Sequence, residues 1–199
     1  MELRERRRLE TTHLIQRAAL QLARTEPVES ISVEMICKEA GISPRTFFNY
    51  FPYKEAVFVV PPPPFPEDAL KAFYSGRGTL LDQLIDLLAA QSLSITPDRW
   101  MIETAQKIAS NHPKIAALQF AQFRDFETTI ANLIARRLGR DENDQASRLI
   151  AAALLGAMRI ILDGKMPNSA EEMAEAIRAD LQHLATFVIE PPHVPDMDS

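Results

Sequence analysis

Between residues 43 and 54 the chain concentrates side chains that suit recognition by hydrogen bonding and stacking. Arg45 carries a planar fork of N–H donors, Asn49 carries an amide, and Phe48 and Tyr50 carry aromatic rings. Such groups match base edges and thymine methyls in the major groove of DNA. A short helix beginning at Pro44 would hold them on its outer side, so we interpret this segment as a surface that contacts nucleic acid.

The residues around this surface predict two short helices joined by a tight turn, residues 30–54. Ser32 and Ser43 are good N-caps, and Pro44 is tolerated at the first helical position. Gly41 lies where the first helix must end and the chain must reverse. Residues expected to face the core recur at helical spacing: Val33, Ile36, Cys37, Ala40, Phe47 and Phe51. The pattern indicates a helix–turn–helix; an ordinary helical hairpin in an all-α domain is the alternative.

The segment Gly41–Glu55 resembles the signature of the TetR-type (tetracycline-repressor-like) regulators. That signature runs Gly, a branched aliphatic residue, Ser, two variable positions, Thr, aromatic residues, Tyr or His, Phe, and a Lys three residues later. Several constrained positions fit together, and the resemblance covers residues 6–55, about a quarter of the chain. It implies an all-α fold with an N-terminal three-helix DNA-binding domain and a larger C-terminal helical domain for ligand binding and dimerisation.

The resemblance also implies roles for individual residues. Arg45 is expected to read base edges, with Pro44 and Phe48 making apolar contacts. Thr46 is expected to steady the start of the recognition helix against the DNA backbone. Phosphate contacts and the basic start of the first helix complete the expected DNA-binding set: Arg6, Arg7, Ser32, Ser43, Asn49, Tyr50 and Lys54. For the arginines, a solvated arm balanced by nearby acids is an equal alternative.

Composition fits a soluble regulator whose charge is unevenly placed. The 199 residues carry 22 Lys and Arg against 27 Asp and Glu, for a net charge of −5. The first 60 residues nevertheless hold nine basic against eight acidic residues, with arginines clustered at positions 4, 6, 7 and 8. Attraction to phosphate depends on the local face rather than on the sum over the chain. The negative total therefore does not exclude binding to DNA.

A run of prolines at 61–64, followed by Pro66, is the clearest boundary in the chain. Four consecutive prolines cannot continue a helix and favour an extended segment. A fourth helix starting near Tyr53, with Lys54 in its first turn, must therefore stop near Val60. The expected domains are residues 1–60 for DNA binding, 61–78 as a linker, 79–189 for ligand binding and dimerisation, and 190–199 as a disordered tail. A stiff linker is favoured over a docking site for a proline-recognising partner.

Helical periodicity returns from Thr79 and continues through several segments. Pro97 is expected to open one helix, and the next three are expected at about 113–138, 143–164 and 169–189. The first helix of the chain is expected at about 6–25. The last two helices resemble the dimerisation helices of the family, and the stripes expected there include Ala152, Leu155, Gly156, Ile177, Leu181 and Leu184. These stripes could instead face the core of the monomer, because periodicity alone does not separate the two.

A ligand pocket is expected in the C-terminal domain. Aromatic and adaptable side chains of the kind that line apolar pockets are Trp100, Met101, Phe120, Phe123, Phe126 and Met158. For each residue taken singly, a place in the core is the favoured alternative. The expected effector is an unidentified small molecule of apolar or amphipathic character.

Other chemistry is weakly supported. Four scattered histidines lack metal-ligand spacing, the single Cys37 favours a reducing compartment, and no phosphate loop or nucleophile elbow is present. We expect no enzyme activity, no cofactor, no membrane span and a cytoplasmic protein. The predicted function is a homodimeric repressor that binds a palindromic DNA operator and is released by the effector. The alternative is a helical interaction or small-molecule-binding protein whose helix–turn–helix is accessory or no longer binds DNA.

Overall fold

The structure is a computed structural model that describes residues 3–94, 99–164, 167 and 169–189. The described part contains α-helices and one 3₁₀ helix, and no strand, which confirms the all-α prediction. The α-helices are α1 Leu3–Leu22, α2 Val33–Ala40, α3 Pro44–Tyr50, α4 Glu67–Ser75, α5 Leu80–Ser94, α6 Arg99–Asn111, α7 Pro113–Arg137, α8 Gln145–Asp163 and α9 Ala170–Ile189. The 3₁₀ helix is Lys54–Phe58.

Packing divides the chain into two compact units. Unit 1 comprises Met1–Lys71 and Ala90–Phe126, and unit 2 comprises Ala72–Ala89 and Glu127–Ser199. Helix α6 belongs with the N-terminal helices because Met101, Ala105 and Ile108 are buried in the same core as Ile15 and Phe47. The functional domain boundaries expected from composition remain a prediction.

The turn between α2 and α3 follows the local rules read from the sequence. Ser32 Oγ accepts from the Met35 N–H at 3.2 Å and caps α2. Gly41 ends that helix at φ 66°, in the left-handed region that favours glycine. The Ile42 N–H then donates to the Cys37 carbonyl at 2.9 Å, a bond that satisfies one of the last carbonyls of the helix. The predicted helix–turn–helix is confirmed in detail.

The chain after α3 forms the short helix expected between Tyr53 and Val60, with Tyr53 as its N-cap and Lys54 as its first residue. It is a 3₁₀ helix rather than an α-helix, and no α-helix follows until Glu67. The proline run leaves no room for further turns, because proline lacks an N–H and clashes with the preceding turn. Gln91 Nε2 donates to the Pro63 carbonyl at 2.5 Å, and Phe65 stacks on Phe126 at 6.0 Å between ring centres.

Helix α4 lies inside the segment expected to be a linker. Its start signal is the pair Glu67 and Asp68, which favours the positive end of the helix dipole. The Pro66 carbonyl accepts the first helical bond, from the Leu70 N–H at 3.0 Å. The adjacent proline run masked this signal in the sequence.

In unit 2, α8 packs along α9. Gly139 ends α7 at φ 64°, and Asp144 caps α8 by accepting from the Ser147 N–H at 2.8 Å. These bounds agree with the segments predicted at 113–138, 143–164 and 169–189. Pro97 and the tail 190–199 lie outside the described residues. Among the described residues, no helix combines the length and apolar character needed to cross a membrane.

Candidate DNA-binding surface

Helix α3 is anchored through one face and presents the other. The side chain of Phe47 is fully buried and that of Phe51 is 6% exposed, and their rings lie 5.6 Å apart. Phe48, the next residue, is 53% exposed and meets the Phe47 ring edge to face at 5.4 Å. Burying two large aromatic rings fixes the rotation of a short helix about its axis. The outer face of α3 is therefore held in one orientation.

That outer face consists of the residues expected to contact bases. Pro44, Arg45 and Asn49 are exposed, like Phe48, and Thr46 and Tyr50 are partly exposed. An exposed aromatic ring beside an exposed guanidinium offers apolar contact and hydrogen-bond donors to base edges. The structure brings these residues together on one surface, and their individual roles toward DNA remain predictions.

The two serines are engaged in capping. Ser43 Oγ accepts from the Thr46 N–H at 3.1 Å and lies 2.9 Å from Thr46 Oγ1. Thr46 is therefore bonded to its own capping residue at the start of α3, and its contact to the DNA backbone remains a prediction. Ser32 Oγ is bonded to the first turn of α2. A hydrogen bond from the Glu34 backbone, and a smaller contribution from the Ser32 hydroxyl, lower the pKa of the Glu34 carboxyl. Phosphate contacts by these hydroxyls would use their remaining hydrogen-bonding capacity.

The basic start of α1 lies beside the end of α3. The guanidinium of Arg8 lies 5.8 Å from the centre of the Tyr50 ring, a cation–π distance. Arg6 pairs with Glu10 at 3.0 Å on the exposed side of α1, and Arg7 is exposed. Spacing alone did not single out Arg8, because the ring that orders it is 42 residues away in sequence. The arginine cluster thus extends the α3 surface.

Lys54 holds the domain together. Its Nζ donates to the Val28 carbonyl at 2.8 Å, which joins the 3₁₀ helix to the loop between α1 and α2. An ammonium group has three donors, so this bond leaves two for a phosphate. The sequence predicted only the phosphate contact and missed the structural one.

Replacing Lys54 with Met should lower both stability and DNA affinity. We expect a loss of about 1–3 kcal/mol in the free energy of unfolding from the charged hydrogen bond to Val28, measured by urea denaturation. Affinity should fall similarly for all DNA sequences, and the slope of log K against log salt should drop by about one. A stability loss with an unchanged salt slope would leave Lys54 a structural residue only.

An ion pair also stabilises the segment that follows α3. Lys114 Nζ, in the first turn of α7, donates to Glu55 Oε1 at 2.7 Å and lies 5.5 Å from the centre of the Tyr53 ring. The hydrogen bond from Lys114 holds the pKa of the Glu55 carboxyl below its ordinary value. All three residues belong to unit 1, so α7 begins in contact with the DNA-binding helices.

Reactive chemistry is not concentrated here. Cys37 is 3% exposed, and burial, followed by the charge of Glu34, raises the pKa of its thiol, which makes it a poor nucleophile. Within the described ranges, no group of His, Cys, Asp and Glu is arranged to hold a metal ion.

The residues expected in a ligand pocket are distributed between the two units. Met101 is fully buried in the core of unit 1, and the Trp100 ring packs against that core with Arg24 at 5.4 Å. Phe126 stacks on Phe65, Phe123 is partly exposed and Phe120 is 63% exposed. Met158 belongs to unit 2 and is partly exposed. Their shared role in ligand binding remains a prediction.

The residues expected at a dimer interface fall into two groups. Leu155 and Ile177 are buried within unit 2, which is the core alternative for these two positions. Ala152 and Leu184 are exposed, and Gly156 and Leu181 are partly exposed. Leu149 and Ile160, each 62% exposed, lie on the same face of α8 as Ala152 and Gly156. The sequence did not identify these two leucine and isoleucine side chains.

Two family models match the chain. Residues 15–59 match the model described as bacterial regulatory proteins, tetR family, and residues 81–188 match the MftR C-terminal domain. A curated relative is the putative mycofactocin biosynthesis transcriptional regulator MftR of Mycobacterium tuberculosis (strain ATCC 25618 / H37Rv). It is 24% identical over 184 residues, which cover 87% of this chain and 89% of the relative. Among solved structures, Salmonella enterica GusR is similar in fold, with a TM-score of 0.53 and 22% identity over 91% of this chain and 96% of GusR.

Proposed function

The chain belongs to the TetR family of bacterial transcriptional regulators, and from that premise we propose that it acts as a homodimer that binds a palindromic operator, represses transcription and is released by a small molecule. The observation that carries the proposal is the outer face of α3. Arg45, Phe48 and Asn49 are exposed together there, while Phe47 locks the helix from below. A helix held in this way is suited to enter the major groove.

Dimerisation is supported by the exposed face of α8. Leu149, Ala152, Gly156 and Ile160 follow one another at intervals of three or four residues and so share one side of the helix. A Cβ added at Gly156 would meet no atom within 4 Å, so the monomer does not need glycine there. Small residues flanked by large apolar ones suit close approach of a second helix. A two-fold dimer would place its two α3 helices on matching half-sites.

The proposal that a ligand releases the protein from its operator is supported by the packing of unit 1. Met101 of α6 is buried in the same core as the DNA-binding helices. Lys114, in the first turn of α7, forms an ion pair with Glu55 in the segment that follows α3. A ligand that favours one position of these helices would alter the placement of α3 and lower its affinity for the operator. The proline run need not carry the signal if α6 and α7 do.

Selection from random DNA sequences tests this function. We expect the full-length protein to enrich a palindromic site, with two protomers bound per site by analytical ultracentrifugation. Competition against unrelated DNA at fixed salt gives the specificity ratio. If the selected DNA binds no more tightly than unrelated DNA, the proposal is rejected, and a protein whose helix–turn–helix is accessory is favoured.

A further inference from the structure

Unit 2 carries an open groove of about 590 Å³ that the proposed DNA-binding role does not use. The residues that give it its chemistry are Tyr74, Asn132, Leu133, Arg136, Arg140 and Glu142. Its volume lies in the range of small-molecule sites. None of the six residues expected to line a ligand pocket contributes to it.

Arg136 is the cation that this groove presents. It is exposed in the last turn of α7, and its guanidinium lies 4.8 Å from the centre of the Tyr74 ring. Among the residues that the structure describes, no carboxylate forms an ion pair with it. Asn132, one turn earlier on the same face, adds an amide donor. A guanidinium beside an amide is suited to bind a carboxylate through two parallel hydrogen bonds.

The neighbouring Arg137 links α7 to the end of α4, the helix that carries Tyr74. Its Nε donates to the Phe73 carbonyl at 2.9 Å and to Gln83 Oε1 at 3.2 Å, and its Nη2 donates to the Gly76 carbonyl at 2.7 Å. These bonds tie the end of α4 to α7 immediately beside Tyr74. The Tyr74 ring is thus held against the Arg136 guanidinium before any ligand arrives, which reduces the entropic cost of binding.

The other charges of the groove limit what it can bind. Arg140 is paired with Asp144 at 3.1 Å, and that same carboxylate caps α8 through Ser147. The Ser147 hydrogen bonds, aided by Arg140, hold the pKa of the Asp144 carboxyl below its ordinary value, so this carboxylate stays ionised near neutral pH. Glu142 is exposed in the same groove. Because Arg140 is paired, Arg136 is the cation of the groove that is left to bind an anion. The charge of Glu142 would repel ligands with more than one negative charge, so a singly charged anion is favoured.

We propose that this groove binds an organic monocarboxylate with a planar apolar body. The carboxylate lies on the guanidinium of Arg136 and the amide of Asn132, and the apolar body lies against the Tyr74 ring and Leu133. Binding at the groove is independent of DNA. Its role as the effector site of the regulator rests on the proposed function.

Titration of the full-length protein with naphthoate tests the proposal, with uncharged naphthamide as the matched ligand. Isothermal calorimetry gives the affinity, and the backbone amide resonance of Gly139, which also lines the groove, reports the location. We expect naphthoate to shift this resonance and to bind at least about tenfold more tightly than naphthamide, because only the carboxylate gains charge-assisted hydrogen bonds. Equal affinities would overturn the proposal.

Three variants locate the binding. Arg136→Gln should weaken naphthoate at least about tenfold, whereas Arg77→Gln, which removes an exposed arginine of the same unit, should leave its affinity unchanged. Tyr74→Leu should weaken both ligands, and Tyr74→Phe should keep the ring and the affinity. An unchanged naphthoate affinity in Arg136→Gln would overturn the proposal even if the protein binds its operator, and loss of operator binding alone would leave the groove assignment standing.

Discussion

Replacing Leu149 and Ile160 with Glu will convert the proposed dimer to a monomer and will lower operator affinity by at least about 100-fold, the scale on which linked binding sites exceed single ones. Both side chains are 62% exposed on one face of α8, so the monomer tolerates charge there. In a dimer the same carboxylates would be buried against an apolar partner surface, at a cost that opposes association. Each protomer would then hold a single half-site.

The control is Leu138→Glu, which places one carboxylate, half the added charge of the double variant, on an exposed apolar residue outside α8, 41% accessible. This variant should sediment as the native protein does. Circular dichroism should show native helical content in both variants, and this measurement separates dissociation of the dimer from unfolding. A double variant that remains dimeric with native operator affinity would rule out this face as the interface.

The helix–turn–helix was predictable because its determinants are local. Serine caps, Gly41 and the spacing of Phe47 and Phe51 act within a few residues and agree with one another. Ile15, Ala18 and Ala19 are buried on one side of α1 because apolar residues recur there at helical spacing, which is again a local pattern. Because Phe47 and Phe51 face the core, the remaining side chains of α3 had to face solvent.

The rest depended on contacts between residues distant in sequence. Helix α8 is apolar on opposite faces, and only packing against α9 shows that Leu155 faces inward while Ile160 faces outward. The Lys54 bond to Val28 spans 26 residues, and no periodic pattern encodes it. The groove at Arg136 was missed because its parts come from α4, α7 and the loop after α7. Hydrophobic periodicity identifies helices and their apolar stripes, but it does not identify their partners.

Replacing Arg45 with Ala should remove sequence preference at the base pair that it reads in each half-site. A bidentate arginine–guanine contact contributes about 1–3 kcal/mol of discrimination, so selectivity at that position should fall by about one to two orders of magnitude. The side chain is exposed at the second position of α3, and the loss of a surface arginine should change the free energy of unfolding by less than about 0.5 kcal/mol. Competition between the selected operator and single-base variants measures the effect.

Arg45→Lys separates base reading from charge, since lysine keeps the charge without the planar fork that matches guanine. We expect the Lys variant to retain most of the non-specific affinity and its salt dependence, but to lose preference at the same base pair as the Ala variant. The Lys54→Met variant should show the reverse, with uniform weakening and an unchanged preference. If Arg45→Ala kept the full sequence preference, base reading would have to be reassigned to another exposed group of α3, with Asn49 the remaining bidentate candidate.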